Sequence, residues 1–168
     1  MLPIDVELFR TLLDYCPDTG VLSRKTNTRT RKNAGSVVGQ LTRKGYLQAK
    51  FNGVSMLVHR VCYAIHHGVD PGEYLVDHID GDRTNNRITN LRLCNNSQNL
   101  MNRRGVPSHS TTRIRGVHFS KKERKYIAHL KLNGKLCRLG AFDDVNEATV
   151  VASNARKLFY GEFCGADV

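Results

Sequence analysis

The sequence predicts an α+β protein, and three observations carry that reading. Short strand-forming segments recur along most of the chain, and two of their joints, Asn52-Gly53 and Asn133-Gly134, are the pairs that tight antiparallel hairpins favour. An Asn-rich stretch, 75–102, reads as strand, turn, strand and helix. A periodic helical pattern from Val145 to Tyr160 follows three further strand segments. The expected architecture is a set of N-terminal hairpins running into the strand–turn–strand–helix. A linker then leads to a small three-stranded antiparallel sheet packed on one helix. The expected boundaries are 1–102, a linker at 103–112, and 113–168.

Taken in order, Ile4, Leu8, Leu12 and Tyr15 stand at near-helical spacing and predict a short amphipathic helix over 4–15, stopped by Pro17-Asp18 and Gly20. Residues 21–34 are basic and turn-rich and read as a loop, either lying on phosphates or simply solvated. Strands are expected at Val37-Val38, at 46–51 and, after Asn52-Gly53, at Met56-Leu57-Val58. Residues 59–68 read as a helix with Val61, Ala64 and Ile65 apolar and Gly68 as its C-cap. His59 reads as a structural histidine, with contact to DNA or buttressing of the site as the alternative. His66 and His67 suit the negative end of the helix dipole better than a metal. Within 75–102, Asn95 or Asn96 is a suitable N-cap for the last helix. The Gly, Pro, Ser and Thr content of 103–112 marks the linker.

Beyond it, 113–119, 125–132 and 135–142 read as strands. Asp144 and Glu147 have capping-box spacing, and Val145, Ala148, Val151, Ala152, Ala155, Leu158 and Phe159 recur on one helical face that Gly161 ends. The alanines allow close approach to the sheet, whose other face is expected to lie open and carry Arg and Lys.

Composition narrows the function. Lys and Arg number 26 against 15 Asp and Glu, a formal charge of +11, which points to a polyanionic partner, most simply nucleic acid. No apolar run approaches the ~18 residues of a membrane span, and the N-terminus lacks a signal-peptide pattern, so an intracellular location is expected. The five cysteines are scattered and form no CxxC pair, which argues against disulfides and a zinc knuckle.

The chemistry lies in VDHIDGDRTNNRITNLRLCNNSQN. Asparagine is a poor former of helix and strand, so this density of it serves something other than local propensity. Phosphodiester hydrolysis needs an activated water, neutralised phosphoryl charge and help for the departing oxygen. His78 is the natural general base near pH 7. Asp77 is a hard oxygen ligand of the kind Mg²⁺ prefers, and Asn99 can offer a carboxamide oxygen to the same ion. Asn90 suits a hydrogen bond to backbone that holds His78 and the turn in register. Adjacent strand residues face opposite ways, so Asp77 and His78 can flank one phosphate only at a bend, as Asp80-Gly81-Asp82 suggests.

Asp77-His78, Asn90 and Asn99 in their DG…NN…NLR frame resemble the ββα-metal motif of HNH homing endonucleases of phage and intron type, in the variant whose last ligand is Asn. The resemblance covers roughly residues 15–102. It implies Asp77 and Asn99 as ligands of one divalent metal, Mg²⁺ first and Mn²⁺ second, with His78 as base and Asn90 as the central structural asparagine. A second resemblance covers about 113–162: RGVHF, KYIAHL, the NGK turn and RLGAFDDVNEA look like an AP2/ERF DNA-binding domain. It implies that the sheet reads double-stranded DNA through Arg113, Arg115, His118, Lys125, Lys131 and Arg138. The Trp residues common in plant members are absent, with Tyr126 at one such place.

The expected function is a metal-dependent, site-directed DNA endonuclease of homing type that nicks one strand per active site. The alternative is a non-catalytic transcriptional regulator on a degenerate nuclease scaffold. No protein partner is implied, and monomer against dimer stays open. An RNA target finds little support, because few aromatics fall on the expected open sheet.

Overall fold

The computed structural model describes residues 3–26, 33–103, 105–106 and 110–165. It is a mixed α/β structure of small antiparallel sheets and helices, and it divides into two compact units, 1–95 and 96–168.

The first unit opens with α1 (Val6–Leu12), N-capped by Asp5, whose side chain accepts from the Leu8 N–H at 3.0 Å. The helix is shorter than the spacing predicts. Leu13–Cys16 forms β1, which pairs antiparallel with β2 (Val21–Arg24). Pairing outweighs helical periodicity here because it buries Leu13 and Leu22 almost completely. The basic loop expected at 21–34 therefore begins as a strand, and its residues 27–32 lie outside the described residues. Val37-Val38 is not a strand of its own; Val37 makes an isolated bridge to Ser23.

A three-stranded sheet follows, β3 (Gln40–Leu41), β4 (Leu47–Phe51) and β5 (Val54–Leu57). Its β4–β5 turn is Asn52-Gly53, both residues at positive φ, as the pair predicts. Next comes α2 (Val58–His67), ended by Gly68 in the left-handed region. Arg10 reaches across from α1 to cap it, donating from Nε and Nη2 to the Ile65 carbonyl at 3.1 and 2.8 Å.

The inner face of α2 (Val58, Val61, Cys62, Ala64) forms one core with Phe9, Leu13, Leu22, Val76 and Leu91. Each such aliphatic side chain stabilises the fold by roughly 1.5–3 kcal/mol. That core backs a two-stranded ribbon, β6 (Leu75–His78) and β7 (Leu91–Cys94). Arg60 ties the approach to β6 down, donating to the carbonyls of Tyr74 at 2.6 Å and Gly72 at 3.0 Å. The loop between β6 and β7 closes with a single 3₁₀ turn, Ile88–Asn90.

The second unit begins with α3 (Asn96–Met101). The helix that carries Asn99 thus groups with the C-terminal part of the chain, earlier than the linker expected at 103–112. Arg115 donates to the Met101 carbonyl at 2.8 Å, and Gly165 packs against the Asn102 backbone, which holds α3 there. Residues 104 and 107–109 of the expected linker lie outside the described residues.

The rest is the expected sheet and helix: β8 (Val117–Ser120), β9 (Lys125–Leu132), β10 (Lys135–Phe142) and α4 (Val145–Tyr160). The first strand starts four residues later than read from sequence, because Arg113–Gly116 turns. Gly116, at φ +78°, sits where a Cβ would come within 2.8 Å of the His129 carbonyl. Asp144 caps α4 through the Asn146 N–H at 2.8 Å. Ala148 and Ala152 pack on Val117 and Ala128. Leu158 and Phe159, expected on the packed face, are 77% and 54% exposed; the helix buries Arg156 instead, which donates to the Arg115 carbonyl at 2.6 Å.

Candidate active site

The site is built on the β6–β7 ribbon and the loop that joins its strands. Asp77 and His78 end β6 and are nearly buried, at 8% and 4% exposure. Asp77 stands opposite Arg92 across the ribbon, and its Oδ2 accepts from Arg92 Nε at 3.2 Å and Nη2 at 3.1 Å. That charge-assisted pair orients the carboxylate.

The loop 79–90 is held by its own polar side chains. Asn90 is buried; its Oδ1 accepts the Asp80 N–H at 2.9 Å, and its Nδ2 donates to Asp80 Oδ1 at 2.9 Å and to the Asn85 carbonyl at 2.8 Å. Asp80 also accepts from Asn85 Nδ2 at 2.6 Å and from the Asp82 N–H at 2.8 Å. Burial alone would raise the Asp80 pKa, but these hydrogen bonds outweigh it and hold the carboxyl below its usual range. With both oxygens engaged inside the loop, Asp80 is a structural carboxylate. Asp82 likewise accepts from the N–H and hydroxyl of Thr84, which lowers its pKa.

Around His78 stand Asn86, His59 and Tyr46. Nε2 lies 3.0 Å from Asn86 Oδ1. The His59 ring meets it edge to face at 4.8 Å between centroids, and Tyr46 packs against both rings at 5.4 and 6.1 Å. Arg83 caps Tyr46, its guanidinium carbon 4.8 Å from the ring centre. Burial first, then His78 and Arg60, push the His59 pKa down to about 3, so this ring stays neutral. His59, expected to be structural or else to touch DNA or buttress the site, lies against His78. Asn86 carried no signal beyond being one asparagine among many. Its partner is set by the loop's tertiary path rather than by spacing.

Asn99 stands on α3, in the second unit. Among the described residues no group of three or more His, Cys, Asp or Glu converges to hold an ion. The two donors expected from the sequence, the Asp77 carboxylate and the Asn99 carboxamide, belong to different units. Each offers an oxygen of the hard type that small divalent cations prefer.

On the second unit, strand alternation and register put His118, Lys125, Lys131 and Arg138 on the face of the β8–β9–β10 sheet away from α4. His129 joins them, its Nδ1 3.3 Å from His118 Nδ1. Two of the cations are already paired: Arg138 donates to both carboxylate oxygens of Glu123 at 3.0 and 2.5 Å, and Lys125 to Asp143 at 3.0 Å. Arg113 is exposed at a turn with φ +56°. Arg115 differs from the set, since its guanidinium is turned to the Met101 carbonyl.

Residues 56–101 match a family model described as HNH endonuclease. Over 96 residues the chain is 28% identical to Protein 3.8 of Escherichia phage T7, covering 57% of this chain and 78% of that protein. Among solved structures it is similar to that described as DNA binding and cleavage by the HNH homing endonuclease I-HmuI. The identity there is 27% and the TM-score 0.41, over 60% of this chain. The chain spans just over half, 56%, of the length of that solved relative. Asp77, His78, Asn86, Asn90 and Asn99 all fall inside the matched segment. The first hairpin and the C-terminal sheet fall outside it.

Proposed function

We propose that this chain is a metal-dependent DNA endonuclease of homing type, hydrolysing one phosphodiester per active site, with His78 as general base and Asp77 and Asn99 holding the ion. The observation that carries this reading is a buried Asp-His pair at the end of β6. Its loop is locked by Asn90, and it lies inside the segment matched to HNH endonucleases.

The His78 imidazole accepts the proton of the attacking water. Arg92 keeps the Asp77 carboxylate turned in one direction, and Asn90 keeps the loop from shifting under the histidine. His59 and Tyr46 cover one side of the ring with neutral, half-apolar surface, which restricts where water can reach it. When bound, a divalent cation, Mg²⁺ in the first instance, supplies charge neutralisation at the phosphoryl group and the departing oxygen.

The C-terminal unit supplies affinity as an AP2-like module, its open sheet face laid against double-stranded DNA through His118, Lys125, Lys131 and Arg138, with Arg113 at the rim. Arg115 is better placed to hold α3 than to touch DNA. One site per chain gives a nick from a monomer, and a double-strand break needs two chains or two events.

The test is nicking of supercoiled plasmid by wild type, Asp77→Ala and His78→Ala, with Mg²⁺ and with EDTA. Metal-dependent nicks are expected, and His78→Ala should lower the rate by a factor on the order of 10² or more with binding little changed. Tight binding without cleavage by wild type would point to a regulator on an inactive nuclease frame.

A further inference from the structure

Asn86 is the most deeply buried carboxamide among the described residues, at 1% exposure, and it lies in a loop that is otherwise largely solvent-facing. Its Oδ1 faces His78 Nε2 at 3.0 Å, while its Nδ2 has no hydrogen-bond partner among the described residues. A side chain kept only to fill that space would be better apolar, since a buried amide left half satisfied is destabilising. The oxygen is therefore the part in use.

The backbone around Asn86 is fixed from outside the loop, by the β1–β2 hairpin. Tyr15 donates its hydroxyl to the Asn86 carbonyl at 2.6 Å, and the Pro17 carbonyl accepts the Ile88 N–H at 3.1 Å. Gly20, at φ +75°, approaches so closely that a Cβ there would lie 2.5 Å from the Arg87 nitrogen and 2.6 Å from the Asn86 carbonyl carbon. Burial raises the Tyr15 pKa far above neutrality, so its hydroxyl is always a donor.

We propose that Asn86 is a positioning residue which fixes the tautomer of His78, and that the first hairpin is the clamp that holds Asn86 in place. A carboxamide oxygen can only accept, so His78 Nε2 carries the proton and the lone pair resides on Nδ1. Water would then be deprotonated at Nδ1. A ring in the other tautomer would present an N–H to that water and could not take its proton. This inference rests on the reading of His78 as the base, but its central claim, the tautomer, is observable without any cleavage.

The experiment is two-bond ¹H–¹⁵N correlation NMR of the full chain labelled at histidine, with His78 signals assigned by their loss in His78→Gln. It is paired with single-turnover nicking in Mg²⁺ and with DNA-binding titrations, on wild type, Asn86→Leu, Asn86→Asp and Tyr15→Phe. Wild type should show the Nε2–H form. Asn86→Leu should show both tautomers and a rate reduced on the order of 10- to 100-fold at unchanged DNA affinity. Asn86→Asp keeps an acceptor oxygen and should keep the Nε2–H form and most of the rate. Tyr15→Phe should lose rate by a smaller factor, again without loss of binding. An Nδ1–H ring in wild type overturns the proposal, and so does a folded Asn86→Leu that nicks at the wild-type rate. Should Asn86→Leu fail to fold, Tyr15→Phe decides, because unchanged spectra and rate in that variant overturn the clamp. Wild-type nicking by His78→Ala would remove the general-base reading alone, and the spectra would still decide the tautomer.

Discussion

At the scale of single residues, the site contrasts two buried histidines. His78 has a carboxamide oxygen on Nε2, whereas His59 has no hydrogen-bond partner for Nδ1 among the described residues and sits among groups that penalise its cation. With its pKa near 3 in the fold and about 6.5 when unfolded, His59 binds a proton in the unfolded chain over a pH range where the native ring does not. Stability should therefore fall as pH drops from about 6.5 toward 3, by up to roughly 1.4 kcal/mol per pH unit from this ring. Comparing urea unfolding of wild type and His59→Phe between pH 4 and pH 7 isolates the contribution. Their difference should shift against wild type as pH falls, and parallel profiles would refute it.

At the scale of elements, the ββα stretch depends on structure outside itself. The family-matched segment begins at residue 56, yet the loop bearing Asn86 is braced by Tyr15, Pro17 and Gly20 of the first hairpin. Gly20→Ala combines a positive φ with a backbone collision and should destabilise the first unit by more than about 1 kcal/mol, read from denaturant midpoints. It should also slow nicking more than an equally destabilising substitution in the C-terminal unit. Equal effects on rate would show that the hairpin contributes stability only. The strands themselves follow local rules: Asn52-Gly53 and Asn133-Gly134 turn where their φ preferences allow, and Asp144 starts α4 where a carboxylate can take up an orphan N–H.

At the scale of the whole molecule, a charge of +11 makes salt a direct probe of DNA binding. Affinity should fall steeply as salt rises, and Lys131→Ala should reduce the slope of log K against log salt by about 1 if it contacts one phosphate. Glu123 tests the same surface from the other side. It engages Arg138 in the free protein, so Glu123→Gln should release that guanidinium and strengthen binding to DNA of any sequence. Both follow from fluorescence titrations at several salt concentrations. A salt-insensitive affinity would sink the electrostatic account.

What the sequence by itself determined was whatever local chemistry dictates. Hairpin turns, the α4 cap and the period of the C-terminal strands were legible because each depends on neighbours a few residues away. Where two local preferences competed, the outcome departed from the period: the helical spacing of Ile4, Leu8, Leu12 and Tyr15 extends to residue 15, but partners at Val21–Arg24 make a strand from Leu13 onward. Leu158 and Phe159 continue the apolar period yet stay exposed, while Arg156, with its polar head bonded to a carbonyl, takes the buried position. Only the tertiary structure decided which of many asparagines meets His78, and that Tyr15, 71 residues earlier in the chain, holds it there. Such pairings arise from chain packing at long range, and no spacing rule encodes them.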